Sequence, residues 1–185
     1  MKYIKEYHNL NNIYYHGTVS KLPYKEFSKN CDGMGTVSTG GRKYGGFFFT
    51  SSKENAEFYS EYFVAKVTIN NITLSNSRHP PTAMIEAARD NKNYLVKDIL
   101  DGAVFSDILV VPMTNLNDIT ILEWEFQGDE ECEQFYFEQL DKMFGDEDEN
   151  YFTTKDMISD TIGMIELDMN FLLSIPVFKK YYDSK

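Results

Sequence analysis

Three stretches of this 185-residue chain hold residue types that can do chemistry. "YYHGT" ends a strand pattern in His16, Gly17 and Thr18. "GGFFFTSSKENAEFYS" sets Phe47, Phe48 and Phe49 before Thr50 and leads into a helix pattern bearing Tyr59. "SDILVVPMTNLN" opens an apolar strand with Asp107. An imidazole at a strand terminus, beside a residue whose missing side chain lets another group approach the backbone, favours a binding site. The plainer reading of His16 is a polar strand end. Neighbouring strand residues face opposite sides, so at most one or two of the three phenylalanines line a pocket and the rest are core. Tyr59 also reads as ordinary core packing. Asp107 also reads as a plain strand start, and Asp101, six positions earlier, is a rival carboxylate.

Several chemistries are excluded. The six glycines of residues 33–46 predict a flexible loop. No Gly-Lys-Ser/Thr follows them and GxGxxG is absent, so the loop is neither a P-loop nor a dinucleotide fingerprint. Cys31 and Cys132 are isolated, and with three scattered histidines they propose no metal site. They read as free thiols of a reducing cytosol. His8 and His79 read as surface residues.

The elements that must position these groups follow from periodicity and turn signals. Residues 12–17 and "FFFT" predict strands. Ser51 or Ser52 caps a helix over "KENAEFYSEYF", with Ala56, Tyr59 and Phe63 on one face. "FVAKVTINNITL" predicts a strand. "PPTAMIEAARD" predicts a helix opened by proline, and "NYLVKDIL" is expected to continue as helix. Pro112 interrupts two strand segments within "DILVVPMTNLNDITILEWEF" and belongs at an edge or bulge. "DEECEQFYFEQLDKMFG" and "TTKDMISDTIGMIELDMNFLLSI" predict helices, the second capped by Thr153 or Thr154.

Composition bounds the rest. Hydrophobic residues make up 42 % and aromatics 15 %, enough for a sizeable core. No run of about 18 apolar residues exists, so a membrane span is not expected. The charged start "MKYIKEYHNL" lacks the apolar stretch of a signal peptide, so export is disfavoured and a cytoplasmic location is expected. The net charge of −11 is concentrated: residues 125–149 hold eleven carboxylates against Lys142 alone, while the remainder is near neutral. Such a balance repels phosphate backbones and suits solubility or a basic protein partner.

In their order, the three segments resemble the signature of ADP-ribosyltransferases of the diphtheria-toxin and poly(ADP-ribose) polymerase type. That signature has an aromatic-His-Gly-Ser/Thr strand, then a Gly-aromatic-aromatic-Phe-small strand. A tyrosine follows nine residues after the small residue, and an acidic residue heads an apolar strand. The spacing from Thr50 to Tyr59 is the same. The resemblance covers residues 12–122. It implies an α+β fold, with a split-sheet ADP-ribosyltransferase-like domain over residues 1–124. An acidic helical extension over 125–185 is expected to pack on the same domain.

The resemblance also implies NAD as substrate. His16 matches the histidine that hydrogen-bonds the adenosine ribose, and Gly17 the glycine whose backbone binds the nicotinamide carboxamide. Thr18 and Thr50 complete the two strand motifs around the cofactor. Phe48 falls at the signature tyrosine, keeping a stacking face without the hydroxyl, and Tyr59 falls at the second ring of the nicotinamide sandwich. Asp107 stands where a glutamate is expected, one methylene shorter, and Ala56 where polymerase-type members carry a serine. Arg42 and Lys43 are either solvated or contact NAD phosphates or the acceptor. The implied activity is mono-ADP-ribosylation of a protein with a basic surface, as in compact bacterial or phage effectors. The alternatives are an inactive relative that docks a basic partner through its acidic tail, or an NAD glycohydrolase. Modification of nucleic acid is disfavoured by the acidic balance.

Overall fold

The computed structural model describes residues 12–31, 34–101, 104–145, 153–164 and 168–185. His8 and the carboxylates at 146–149 lie outside them. The fold is α+β. Eight strands form one sheet: β1 (Ile13–Thr18), β2 (Gly35–Thr39), β3 (Arg42–Thr50), β4 (Phe63–Ile69), β5 (Ile72–Leu74), β6 (Asn93–Asp101), β7 (Val104–Pro112) and β8 (Ile119–Phe126). Their order is β5-β6-β7-β3-β1-β4-β8, with β2 paired to β3 beside this path. Among the described residues β5 and β6 run parallel and the other pairings are antiparallel.

Side-chain alternation gives the sheet two faces. Tyr14, Phe47, Phe49, Phe63, Ala65, Val67, Leu109 and Val111 belong to the main core. Onto it pack α3 (Glu130–Phe144), α4 (Thr154–Met164), α5 (Met169–Leu173) and α6 (Pro176–Asp183). The acidic helix α3 buries Tyr136, Leu140 and Phe144 there and exposes Phe135. On the opposite face α2 (Pro80–Asp90) sets Ala83, Met84 and Ala87 against Val96 and Val110. The short helix α1 (Lys53–Phe58) lies over β1 on that same face, capped by the Ser52 side chain.

Four expectations need correction. The glycine-rich stretch is not a loop: Gly40 and Gly41, at φ of 56° and 77°, turn β2 into β3. Two consecutive left-handed residues match the right-handed strand twist, and glycine takes that conformation without strain. "NYLVKDIL" is strand β6, because α2 ends at Asn91 in the left-handed conformation (φ 57°). The helix expected over residues 53–63 stops at Phe58, and Phe63 opens β4 with its β-branched alternation. The single helix expected over residues 153–175 is two, α4 and α5, and α6 opens beyond it at Pro176. Pro112 ends β7 and hands the chain to a 3-10 helix over Met113–Asp118, as a residue without a donor should.

One polar cluster pins the far end of the sheet. Asn93, fully buried at the start of β6, donates through Nδ2 to the Asn70 carbonyl and to Asp118 Oδ2, each at 2.8 Å. Its Oδ1 accepts from Asn115 Nδ2 at 3.1 Å. Leaving such partners desolvated and unpaired costs ~1–3 kcal/mol per group. Replacing Asn93 by Ala is therefore expected to destabilise the fold by about 3 kcal/mol, measured as a lower urea midpoint at unchanged slope.

Candidate functional site

The sheet parts at its centre. β1 and β3 share one register pair, Tyr15 with Thr50. Beyond it β1 continues on β4 as far as Thr18 with Phe63, while β3 continues on β7, and on β2 from Gly46 onward. The β1-side edge of Phe47–Phe49 therefore faces a gap. A backbone carbonyl so exposed needs a partner, and His16 supplies it: Nδ1–H donates to the Phe48 carbonyl at 2.8 Å.

That bond decides the chemistry of the imidazole. A carbonyl only accepts, so Nδ1 carries the proton and neutral His16 presents a bare lone pair at Nε2. His16 is 5 % exposed, and among the described residues Nε2 has no hydrogen-bond partner. The rings of Phe27, Phe47 and Phe49 surround it, with centroids at 5.3, 5.6 and 5.3 Å. Burial lowers the His16 pKa to about 4, against the raising effect of the Phe48 carbonyl. At neutral pH the ring is uncharged and its Nε2 is a hydrogen-bond acceptor.

Gly17, the next residue, points to the other face. A Cβ there would fall 2.0 Å from the Ala56 carbonyl oxygen and 2.9 Å from the Ser60 nitrogen. The end of α1 thus rests directly on the Gly17 backbone, a fit only glycine allows. Tyr59 is the C-cap residue of α1, 58 % exposed, edge-on to Phe58 at 5.4 Å. The Phe48 ring lies on this same face, packed toward α2 and against Gly35.

His16, Phe48 and Tyr59, which the resemblance places around one NAD, therefore do not meet in one pocket. Strand alternation sends the His16 ring to the main core and the Phe48 ring the opposite way, and α1 carries Tyr59 on the Phe48 side. What meets His16 is the Phe48 carbonyl. Thr18 and Thr50 are buried, and each hydroxyl accepts from a backbone N–H two residues on: Ser20 at 3.1 Å and Ser52 at 3.2 Å. Arg42 and Lys43 are exposed at the hairpin end of β3. Arg42 lies six residues from Phe48, roughly 20 Å along the strand. His79 is exposed, its Nδ1 3.2 Å from the Thr82 hydroxyl.

Asp107 is half-buried on β7. Between the pairs Val96–Ile108 and Ile99–Ser106, β6 carries two residues against Asp107 alone, a β-bulge. Bulges re-aim side chains and recur beside active sites. Asp101 ends β6, paired with Val104. The counting rule behind the bulge leaves no mark in the sequence, which is why Asp107 and Asp101 stand level there. Phe27, outside the three stretches singled out in the sequence, emerges as the third wall around His16.

Among the described residues no helix is long and apolar enough to cross a membrane, and no cluster of three or more His, Cys, Asp or Glu side chains is placed to hold a metal ion. No family model, curated protein or solved structure matches the chain.

The buried imidazole has a consequence for stability. Unfolded histidine titrates near 6.5 and folded His16 near about 4, so between these values the unfolded chain binds more protons. His16 therefore favours folding at pH 7, and that contribution is lost as the pH falls from about 6.5 toward about 4, to the extent of about 3 kcal/mol. Replacing His16 by Asn, which keeps a donor for the Phe48 carbonyl, should flatten the stability profile in that window. Urea denaturation at pH 7 and pH 4.5 measures the difference. Carboxylates held low by their partners, such as Asp141 beside Lys185, act in both proteins and cancel.

Proposed function

We propose that this chain is an NAD-dependent mono-ADP-ribosyltransferase acting on a protein. The observation that carries this reading is the state of His16 at the gap between β1 and β3. Its Nδ1 is fixed on the Phe48 carbonyl, and its Nε2 lone pair is buried and unpartnered. A neutral imidazole held this way is prepared to accept a ribose hydroxyl, the role that the resemblance assigns to it. The placement of the motifs on adjacent strands β1, β3 and β7 also supports the reading.

On this reading the nicotinamide end of NAD lies against the Gly17 backbone, between Phe48 and Tyr59. The end of α1 must lift from Gly17 to admit it, and the ribose must pass the gap between β1 and β3 to reach His16. Breaking the nicotinamide–ribose bond sends its electron pair out with nicotinamide and leaves positive charge on the ribose. A nucleophile of the protein target then bonds to that carbon and gives its proton to solvent. Asp107 stabilises the cationic sugar electrostatically. Helix α3 faces the target: Glu130, Glu131 and Glu138 are exposed, whereas Glu133 pairs with Lys180 and Asp141 with Lys185.

A second reading is a binding protein without catalysis, docking a basic partner. The coverage of Gly17 by α1 favours it, as do the two departures from the signature, Phe48 and Asp107. Incubating the protein with labelled NAD and cell extract separates the readings. Label on protein supports transfer, free nicotinamide without label supports a glycohydrolase, and neither product supports the binding protein.

If Asp107 stabilises the ribosyl cation, Asp107→Ala should lower NAD turnover at least about tenfold, about 1.4 kcal/mol of barrier, with NAD affinity nearly unchanged. Wild-type turnover in Asp107→Ala beside an inactive Asp101→Ala would move the role to Asp101.

A further inference from the structure

The aromatic enclosure of His16 is built from two unlike parts. Phe47 and Phe49 are fixed in β3 by register with Val111 and Leu109 of β7. Phe27 comes instead from an irregular strap, residues 19–31. It is buried, while Lys25, Glu26, Lys29 and Asn30 around it are exposed. Leu22, Tyr24 and Phe27 turn inward from the strap, and the Phe27 ring is the one that meets His16.

Among the described residues the strap's side-chain bonds to other elements lie upstream of Phe27, while downstream Cys31 packs on the core and β2 begins at Gly35. Upstream, Trp124 Nε1 donates to the Tyr24 carbonyl at 2.9 Å, the Tyr136 hydroxyl donates to the Lys21 carbonyl at 2.9 Å, and Lys25 pairs with Asp168 at 2.8 Å. Downstream, the bonds found among the described residues are local: Cys31 N–H to the Ser28 carbonyl, and Ser28 N–H to Cys31 Sγ. Phe27 therefore sits between the anchors at Tyr24 and Lys25 and the start of β2, on a stretch whose own hydrogen bonds are local.

We propose that Phe27 is a gate over a ligand-hydroxyl site at His16: it must leave the enclosure before a ligand hydroxyl can donate to Nε2. This rests on the NAD reading for the identity of the ligand, a ribose, and on geometry alone for the gate. A buried acceptor without a donor costs stability, and a ligand hydroxyl would relieve that cost where a phenyl ring cannot. Because three of the strap's anchors reside in β8, α3 and the N-cap of α5, a protein bound to the acidic extension is placed to shift the strap. Partner binding would in this way govern access to NAD.

The test follows the His16 imidazole by NMR titration in the wild type, Phe27→Ala and Phe27→Leu, with NAD and adenosine as ligands. Removing the ring should raise the His16 midpoint by at least one pH unit and tighten NAD binding at least tenfold, with Phe27→Leu intermediate. A folded Phe27→Ala whose midpoint stays at the wild-type value overturns the gate, as does equal NAD affinity in all three proteins. If Phe27→Ala does not fold, Phe27→Leu decides by the same two readouts. A raised midpoint with no binding of NAD or adenosine to any variant keeps the enclosure's opening by Phe27 but removes the ribose ligand, and with it the NAD reading.

Discussion

Where β1 and β3 stop pairing, the Phe48 carbonyl loses the strand partner that the ladder would have given it, and the His16 side chain takes over. A side chain thus does the work of a backbone N–H, and the sheet remains connected across its own gap. The arrangement constrains everything near it. It fixes the tautomer of His16 and directs the free lone pair into the aromatic enclosure. By strand alternation it commits Gly17 to the opposite face, where α1 has room to settle on it. Removing that bond would leave a carbonyl without a partner in the middle of the sheet and release the imidazole from its single orientation.

The C-terminal extension belongs to the same core as the sheet. Tyr136 packs on Phe63 and Tyr62, at centroid distances of 5.4 and 4.9 Å, and Phe178 and Tyr181 continue the aromatic layer. The Tyr181 hydroxyl donates to Asp141 at 2.7 Å, tying α6 to α3. Some of the acidity that dominates the sequence is therefore spent on internal pairing. The carboxylates available to a partner are those on the outer side of α3.

Much of this fold was legible in the sequence where a local physical signal was strong. Pro80 and Pro81 open α2, Ser52 caps α1 and Pro112 ends β7, all through donors present or absent in the backbone. Other elements turned on signals that compete. Asn91 ends α2 by adopting the left-handed conformation, yet an Asp-Asn pair reads equally as continuing helix, and β6 was hidden behind it. Gly40 and Gly41 announce a two-residue turn only once the alternation on both sides is weighed above the glycine content. The site was legible in residue type and less so in facing. His16 and Phe48 were both singled out, but whether their rings share a side depends on the register of β1 against β3. That register is set by tertiary pairing and is invisible to spacing along the chain. Phe27 shows the same limit: nothing local to Leu22, Tyr24 and Phe27 says which of them will reach a histidine in another strand.

Trp124 is the chain's single tryptophan, and it stands beside the strap that carries Phe27. Its indole is nearly buried and bonded to the Tyr24 carbonyl. The Tyr24 ring lies edge-on to it at 4.9 Å and edge-on to Phe27 at 5.1 Å. The natural fluorophore of this protein is thus one ring removed from the strap, in surroundings that become wetter when the strap departs. Its emission colour is an optical gauge of that displacement, supplied by the native chain and needing no label.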